Sequence, residues 1–190
     1  MTTPKFISAG YVSLDITPTF PNNKCSSKDL FRPGALAEIQ RATIAVGGSV
    51  SNTGLALHKF GADTTLIAKI GHDDFGTMIV ERYKKVGVNP QFVVSEQDET
   101  GYTIAIAPPG HDRTFLADPG ANNTMVASDI PDATLQNASF FHFGYPTLMK
   151  RFYQNNGRET IALYRRAKKY GLVTSLDLTE VVSLFWTQRG

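Results

Sequence analysis

The chain changes its apolar period at the glycine pair Gly47–Gly48, and this junction constrains the fold more than any other feature. In the preceding segment 37–46 (AEIQRATIAV) apolar residues alternate weakly, and the β-branched residues favour a strand over a short helix. After the pair, residues of one helical face recur at Val50, Thr53, Leu57 and Phe60, followed by Gly61 as the helix end. The sequence therefore predicts a strand, a glycine turn and a helix in direct succession.

Strands and helices alternate along much of the remaining chain. Strand-like runs lie at 6–16, 64–70, 140–143 and 172–178. Amphipathic helices are predicted at 75–86 and 158–170, the first capped by Asp73 or Asp74. This alternation predicts one α/β domain with a largely parallel sheet.

The middle third of the chain departs from this pattern. Short β-like runs at 92–95, 102–107 and 114–117 are separated by the turn sequences QDETG, PPGHDR and DPGANN. Two successive hairpins inserted into the α/β domain are the simplest interpretation. Residues 17–34 are rich in proline, asparagine and serine and predict a loop.

Composition narrows the possible partners and the cellular setting. The 190 residues carry a formal net charge of +2, and the densest basic cluster, at 165–169, falls on the polar face of a predicted helix. A solvated helix face is favoured there over a nucleic-acid surface. The single cysteine, Cys25, excludes an intrachain disulfide and reads as a free thiol in a polar loop. Without a signal-peptide pattern or an apolar run of about 20 residues, we expect a cytoplasmic protein that does not bind membranes.

Ligands of open α/β sheets collect beyond the carboxyl ends of the strands. That rule nominates a set of strand-end residues: Asp15, Gly47, Gly48, Gly71, Asp73, Gly144 and Asp177. The glycine pair also offers bare backbone N–H groups at a helix N-terminus.

A glycine pair at a helix N-terminus can form a phosphate-binding loop. The sequence has no GxxxxGK[ST] motif, no lysine closely following the glycines, and no GxGxxG spacing. A hydroxyl-rich neutral ligand fits better, because Asp15, Asn52 and the glycine backbone supply a carboxylate, an amide and close approach. The alternatives are structural: a strand-end Asp that caps a turn, an Asn that bonds a loop, and glycines that serve helix–strand packing.

The four histidines raise the question of a metal site. His58, His72, His111 and His142 lie far apart, and no pair has the spacing of metal ligands. Packed or surface positions are favoured for His58 and His142. The sequence also contains no GxSxG motif.

Residues Val46–Gly76, VGGSVSNTGLALHKFGADTTLIAKIGHDDFG, closely resemble the N-terminal signature of the ribokinase-like (PfkB) carbohydrate kinases. In that family a double glycine and an Asn are followed by a helix, a GA turn, a strand and a GxDxxG turn. The matching residues here are Gly47, Gly48, Asn52, Gly61, Ala62, Gly71, Asp73 and Gly76. Gly10 and Asp15, the pair Thr100–Gly101 and the GAN sequence at 120–122 also agree, so that the resemblance extends to about Asp177.

The resemblance implies a ribokinase-like three-layer α/β sandwich with an inserted β-lid, formed by segments at about 17–46 and 91–118. It implies transfer of a phosphoryl group from ATP, with Mg²⁺, to a sugar hydroxyl. The residues that would hold the sugar are Asp15, Gly47, Gly48 and Asn52, with Ser49 as a further polar contact and Tyr102, Ile104 and Phe115 in the lid. Gly144 stands where ribokinase has a sugar-binding Glu, which leaves hexoses, nucleosides and sugar acids open. Family members often pair lid to lid as homodimers.

One part of the family pattern has no counterpart in these 190 residues. The family's GAGD-type motif supplies the anion hole and the general-base Asp, and neither it nor the N-x-x-E motif occurs here. The last residues, VVSLFWTQRG at 181–190, do not resemble the family's continuation, and Leu184, Phe185 and Trp186 lie close to the end. We therefore expect an incomplete fold with an exposed sheet edge, no catalytic residue in this chain, and little or no kinase activity.

Three hypotheses follow from the sequence. The chain is a carbohydrate kinase or its sugar-binding half, a non-catalytic sugar-binding module or half of a split kinase, or a partly folded fragment. Stabilisation by a sugar separates the binding hypotheses from the last, because a ligand that binds only the folded state raises its stability.

Overall fold

The computed structural model describes residues 4–21 and 32–179. Cys25, part of the predicted loop at 17–34 and the segment 181–190 lie outside the described residues, so the predictions made for them stay predictions. Within the described ranges, no helix combines the length and apolarity that crossing a bilayer requires.

Strands and helices follow one another in the order that the sequence indicates for an α/β chain. The strands are β1 (Lys5–Gly10), β2 (Ser13–Pro18), β3 (Ala42–Gly47), β4 (Asp63–Ile67), β5 (Lys69–Gly71), β6 (Val93–Ser95), β7 (Tyr102–Ile106), β8 (Thr114–Asp118), β9 (Phe140–Gly144) and β10 (Val173–Asp177). The helices are α1 (Gly48–Lys59), α2 (Asp74–Lys85), α3 (Asp132–Gln136) and α4 (Lys150–Lys169). Short 3₁₀ turns lie at Gly120–Asn123, Ala127–Asp129 and Pro146–Leu148.

The described strands form three sheets. The first sheet has the order β10-β9-β1-β4, and all its pairs are parallel. The second sheet has the order β3-β2-β7-β8, with a parallel pair β2–β7 between two antiparallel pairs. Strands β5 and β6 form a small parallel sheet.

Helices cover the first sheet on both faces, because each face is apolar. On one face Phe141, Phe143 and Ile7 pack with Phe152 and Leu163 of α4. Successive side chains of a strand alternate between its two sides, so Leu66 of β4 lies on the other face. There it packs with Val50 of α1 and with Ile79 and Tyr83 of α2. The predicted α/β class is confirmed, and the buried clusters place the core on both sides of a parallel sheet.

The predicted strand at 6–16 is wrong as a single element. It divides into β1, which joins the first sheet, and β2, which joins the second. Gly10 takes a φ of +128° at the division. The buried amide of Asn122 then holds Val12, accepting from its N–H at 3.0 Å and donating to its C=O at 2.8 Å. A glycine and a remote amide therefore turn the chain from one sheet to the other.

Other boundaries also differ from the prediction. The run 64–70 divides at Ala68 into β4 and β5, and the segment 37–46 becomes a strand only from Ala42. Of the two predicted hairpins only β7–β8 forms, since β6 pairs in parallel with β5. The predicted helix at 75–86 is confirmed as α2, and the predicted helix at 158–170 is confirmed as the longer part of α4. Helix α4 also has a first turn before residues 154–157, whose backbone angles are not helical.

Arg166 ties α4 to the connection that precedes α3. Its guanidinium donates to the C=O groups of Ala127 and Ile130, at 2.5 and 2.7 Å, and to the Asp132 carboxylate at 2.6 Å. The planar fork of an arginine suits several fixed acceptors at once. Arg166 therefore has a structural role, although the sequence shows it only as one member of a basic cluster.

We expect the substitution Arg166→Ala to lower the free energy of unfolding by about 2 kcal/mol, because it removes the side-chain donor of the Ile130 carbonyl, one of the two donors of the Ala127 carbonyl and the partner of the Asp132 carboxylate. Urea denaturation monitored by circular dichroism measures the change. The matched control is Arg165→Ala on the exposed side of the same helix, which we expect to change stability by less than about 0.5 kcal/mol. Equal losses in the two variants would contradict this role of Arg166.

Candidate functional site

The two larger sheets meet at one junction. Strands β1 and β9 of the first sheet end there, and in the second sheet β2 begins there and β3 ends there. Gly10 pairs with Gly144 across the first sheet, and the Tyr11 N–H donates to the Gly144 C=O at 3.2 Å. On the second sheet Ser13 of β2 lies opposite Gly47, the last residue of β3. The predicted residues Asp15, Gly47, Gly48 and Gly144 come together at this junction, although Asp15 lies inside β2 and not at the strand end that the sequence predicts.

Asp15 lies half-buried against the bare backbone of Gly47. A Cβ built on Gly47 would lie 2.0 Å from Asp15 Oδ2, so a larger residue cannot occupy position 47 without moving the carboxylate. Ser13 Oγ donates to Asp15 Oδ1 at 2.7 Å, the one hydrogen bond that this carboxylate receives within the described residues. Burial raises the pKa of Asp15, and the Ser13 bond only partly offsets this. A partly buried carboxylate with unused acceptor capacity is suited to a ligand hydroxyl.

Gly48 begins α1 in a conformation that favours glycine. Its φ is +83°, and a Cβ there would lie 2.4 Å from the Tyr11 C=O. The same carbonyl accepts the Val50 N–H at 3.2 Å, which fixes the start of the helix against the β1–β2 connection. The first turn of α1 contains no acidic residue and no side-chain cap, and the Tyr11 carbonyl takes one of its free N–H groups.

Ser49 and Gly144 fit together as a close pair. Ser49 is fully buried, and a Cβ on Gly144 would lie 2.2 Å from the Ser49 Cβ. Position 144 therefore has no room for a side chain, and the serine takes the volume that one would need. Asn52, by contrast, is exposed four residues after Gly48, on the same side of α1.

The strand register divides the predicted residues of the second sheet between its two faces. Asp15 lies opposite Thr103 of β7, and Ala105 lies opposite Phe115 of β8. Since aligned residues share a face and neighbours alternate, Thr103, Ala105 and Phe115 lie on the Asp15 face.

Tyr102 and Ile104 align with Leu14 and Ile16, on the face opposite to Asp15. The Tyr102 ring packs edge-on against Phe75, with 5.5 Å between ring centroids. Thr103, which the sequence reasoning missed, takes the position next to Asp15. The alternation of β7 could have identified it only once the pairing with β2 was known.

The GxDxxG and TG sequences build a structural cluster instead. Asp73 accepts hydrogen bonds at 2.7 Å from the Gly76 N–H, the Thr100 N–H and the Thr100 hydroxyl. Asp73 is thereby confirmed as the cap of α2, and the Gly71 N–H donates back to Thr100 Oγ1 at 2.9 Å. The structural alternative therefore accounts for this carboxylate.

We expect Asp73→Asn to lower the free energy of unfolding by about 1 kcal/mol at neutral pH, since the amide cannot accept all these donors. Burial alone would raise the pKa of Asp73, but the hydrogen bonds from Thr100 and Gly76 outweigh it and lower that pKa. The stabilisation is therefore fully present above the unfolded value of about 3.9 and is lost as pH falls through the folded-state value. Urea unfolding of both proteins at several pH values measures the difference, which should shrink below about pH 4. A difference that stays constant down to pH 3 would contradict it.

The histidines and acidic residues do not assemble a metal centre in the described part of the chain. No group of three or more His, Cys, Asp or Glu side chains there could hold a metal ion. His142 lies within 2.8 Å of Ser175 Oγ and 3.4 Å of Thr53 Oγ1, and burial lowers its pKa. These contacts agree with a packed histidine.

The sequence and the fold of this chain are similar to those of known carbohydrate kinases. A family model described as "pfkB family carbohydrate kinase" matches residues 11–183. The probable fructokinase-5 of Arabidopsis thaliana is 26% identical over 92% of this chain and 51% of its own length. The solved ribokinase of Giardia lamblia superposes with a TM-score of 0.77 at 19% identity, covering 95% of this chain and 56% of its own. A fructokinase from Xylella fastidiosa, solved with bound ATP, has a TM-score of 0.72 at 19% identity over 95% of this chain and 53% of its own.

These structural similarities confirm the predicted ribokinase-like fold. The chain spans about half the length of the curated relatives that it matches, 43% and 51% for two plant fructokinases.

Proposed function

The chain belongs to the pfkB family of carbohydrate kinases, and we propose that it supplies the sugar-binding side of an ATP-dependent phosphorylation of a sugar hydroxyl. The observation that carries this proposal is the Asp15 carboxylate, which is half-buried and in close contact with Gly47. Its single hydrogen bond from Ser13 within the described residues leaves lone pairs for a ligand.

Each residue of the junction has a distinct role in the proposed sugar site. Asp15 accepts the hydrogen of a hydroxyl, which a charged acceptor binds more strongly than a neutral one. Gly47 leaves room for the Asp15 carboxylate, and Gly48 lets α1 begin close to the β1–β2 connection. Asn52 offers an amide one turn further on. Ser49 beside Gly144 shapes the floor of this site.

We propose that the second sheet is the lid over this site, with its Asp15 face toward the sugar. Thr103 adds a hydroxyl beside Asp15, and the Phe115 ring, 56% exposed, offers an apolar surface to the ring of a sugar. Tyr102 and Ile104 support the lid from its other face, where Tyr102 packs on Phe75.

The described residues do not fit the ATP and Mg²⁺ part of the reaction. They contain no cluster of metal-binding side chains, and the 190-residue sequence contains no GAGD-type motif for the general-base Asp and the anion hole. In this proposal the residues of this chain bind and orient the sugar and carry out no other step of the reaction. We propose that the chain by itself has little or no kinase turnover and that a cytoplasmic setting supplies ATP to the complete enzyme.

A second candidate function, as one half of a split kinase or a non-catalytic sugar-binding module, has a specific observation in its favour. Strand β10 pairs only with β9 among the described strands, and its Val173 and Leu176 are 58% and 45% exposed. A cavity of about 220 Å³ next to this strand is lined by Phe6, Leu57, Phe140 and Val173. An open strand edge beside apolar side chains can accept a further strand and helix from another polypeptide.

The second sheet also supports the proposal of a homodimer formed through the lid. Across the face that points away from Asp15, four aligned residues form one apolar row: Ile44, Ile16, Ile104 and Leu116. Leu116 is 50% exposed and Ile44 36%. A second copy packed on this row would cover it, and sedimentation equilibrium tests for the dimer.

Thermal unfolding with a panel of sugars tests the proposed function. We expect D-fructose or another hexose of the panel to raise the melting temperature in a concentration-dependent way, since a ligand specific for the folded state stabilises it. A parallel assay for ADP formation should give no turnover above background. Failure of every sugar in the panel to shift the melting temperature would contradict the binding proposal, and turnover of about 1–100 s⁻¹ would contradict the assignment of catalysis elsewhere.

A further inference from the structure

We propose that Tyr83 is a positioning residue of the sugar site and that it acts through Ser51 on the backbone of Gly47. This inference rests on the proposed function. It extends the site from the β3–α1 junction to a buried pair of hydroxyls that connects this junction to helix α2.

Two buried hydroxyls lie in series between α2 and the junction. Ser51 Oγ is 2.6 Å from the Gly47 C=O and 2.7 Å from Tyr83 Oη. Ser51 is 2% exposed and Tyr83 is fully buried, so water does not compete for either hydroxyl. Gly47 is the residue whose bare backbone lies in close contact with the Asp15 carboxylate.

The direction of the two hydrogen bonds follows from the chemistry of the groups. A carbonyl oxygen only accepts, so the single hydroxyl hydrogen of Ser51 goes to Gly47. The Tyr83 hydroxyl must then donate to Ser51 Oγ. Burial raises the pKa of Tyr83 to about 12, so this donor keeps its proton at neutral pH. Tyr83 therefore holds Ser51, and Ser51 holds Gly47.

The contact between Tyr83 and Ser51 is tertiary. A serine hydroxyl that bonds the carbonyl four residues earlier is a local feature of many helices. Here that carbonyl belongs to Gly47, the residue before α1, and the second hydroxyl comes from a residue 32 positions further along the chain. The pair therefore fixes the start of α1 relative to α2.

The peptide group between Gly47 and Gly48 is the part of the site that this pair orients. The peptide is planar and trans, so its C=O and N–H point in opposite directions. Since Ser51 holds the C=O of Gly47, the N–H of Gly48 is directed away from the buried hydroxyls. A rotation of this peptide would change both the direction of that N–H and the backbone that contacts Asp15.

The packing around Tyr83 holds its hydroxyl in place. Its ring packs edge-on against Phe92, with 5.3 Å between ring centroids. Its apolar cluster also contains Val12 and Leu14, the two chain neighbours of Ser13. A side chain that is locked by packing can orient the groups that it bonds in a binding site.

Titration calorimetry of the full 190-residue chain tests the proposal, with the hexose that raises the melting temperature most as the probe, D-fructose being tried first. Tyr83→Phe removes only the hydroxyl, and we expect it to weaken binding about fivefold, the value of one neutral hydrogen bond. Ser51→Ala should weaken binding to a similar degree, and it also carries the test if Tyr83→Phe does not fold. The double variant should bind like Ser51→Ala alone, because Tyr83 acts through Ser51.

The matched control is Tyr164→Phe on α4. It also removes a tyrosine hydroxyl with one hydrogen bond, to the Ser175 C=O at 2.7 Å. We expect this control to lower stability in a similar way but to change the affinity by less than about twofold.

A spectroscopic measurement separates positioning from a loss of stability. In the ¹H–¹⁵N spectrum of the folded, ligand-free chain, Tyr83→Phe and Ser51→Ala should both shift the amide resonance of Gly48. Tyr164→Phe should leave that resonance in place, because α4 has no contact with the pair of hydroxyls.

Every outcome decides the proposal. The inference is overturned, and the proposed function stands, if Tyr83→Phe leaves either the affinity or the Gly48 resonance unchanged. The same holds if the double variant binds more weakly than Ser51→Ala, or if Tyr164→Phe weakens binding as much as Tyr83→Phe does. If the wild-type chain binds no hexose of the panel, the proposed function fails and the inference fails with it.

Discussion

Replacing Asp15 by Asn is expected to weaken sugar binding about 100-fold, to the point where thermal stabilisation by the sugar disappears. A hydrogen bond to a charged acceptor contributes about 1.5–3 kcal/mol, and the neutral amide also turns a donor toward the ligand. Asn matches the shape of Asp, so its oxygen can still accept the Ser13 hydroxyl that holds Asp15 Oδ1 at 2.7 Å.

The fold itself should tolerate Asp15→Asn. Burial raises the pKa of Asp15, which means that folding disfavours the charged form of this carboxyl relative to the unfolded chain. Removing the charge should therefore leave the melting temperature of the ligand-free chain unchanged or slightly higher. Calorimetric titration with the best sugar of the panel measures the affinity, and Asp63→Asn, an exposed carboxylate at the start of β4, is the control. Wild-type affinity in the Asp15 variant would contradict the site.

The substitution Gly10→Ala should lower the free energy of unfolding by about 3 kcal/mol or more, which is enough to unfold a chain of marginal stability. Gly10 has a φ of +128°, which an L-residue with a Cβ rarely adopts. The added Cβ would also lie 2.3 Å from the Gly144 C=O, a backbone atom fixed by the β1–β9 pairing. To relieve the clash between this Cβ and the Gly144 oxygen, β9 would have to move away from β1, or the backbone would have to change direction before Tyr11.

The matched control for this substitution is Gly110→Ala. Gly110 also has a positive φ, +81°, but a Cβ there would meet nothing within 4 Å. The control should therefore cost only the backbone strain of about 1–2 kcal/mol. Urea denaturation measures both variants, and the fraction of folded protein after expression gives a second reading. Similar losses for the two variants would show that the close approach of Gly10 to Gly144 contributes nothing.

The sequence predicts best where a local pattern decides the structure. The glycine pair followed by a helical period predicts the β3–α1 junction, and the HDDFG segment predicts the cap of α2, as the structure has them. The strand-end rule accounts for Gly144, the last residue of β9 in the parallel sheet. Asp15 instead lies inside β2 of the mixed sheet and reaches the junction through its contact with Gly47.

The prediction fails where residues distant in the chain decide the structure. The division of the run 6–16 depends on Gly144 and on Asn122, which lies 110 residues from Val12. The face of Tyr102 depends on its register with Leu14, which no local pattern reveals. Motifs that agree with a family also differ in purpose: Asp73 caps a helix with its carboxylate, whereas Asp15 has acceptor capacity to spare.

The most direct test of the central claim is a crystal structure of this chain with a bound sugar. We expect a sugar hydroxyl within hydrogen-bonding distance of the Asp15 carboxylate, about 2.5–2.8 Å, with the sugar ring between the second sheet and the N-terminus of α1. A sugar bound elsewhere on the chain, with Asp15 bonded only to Ser13, would contradict the account.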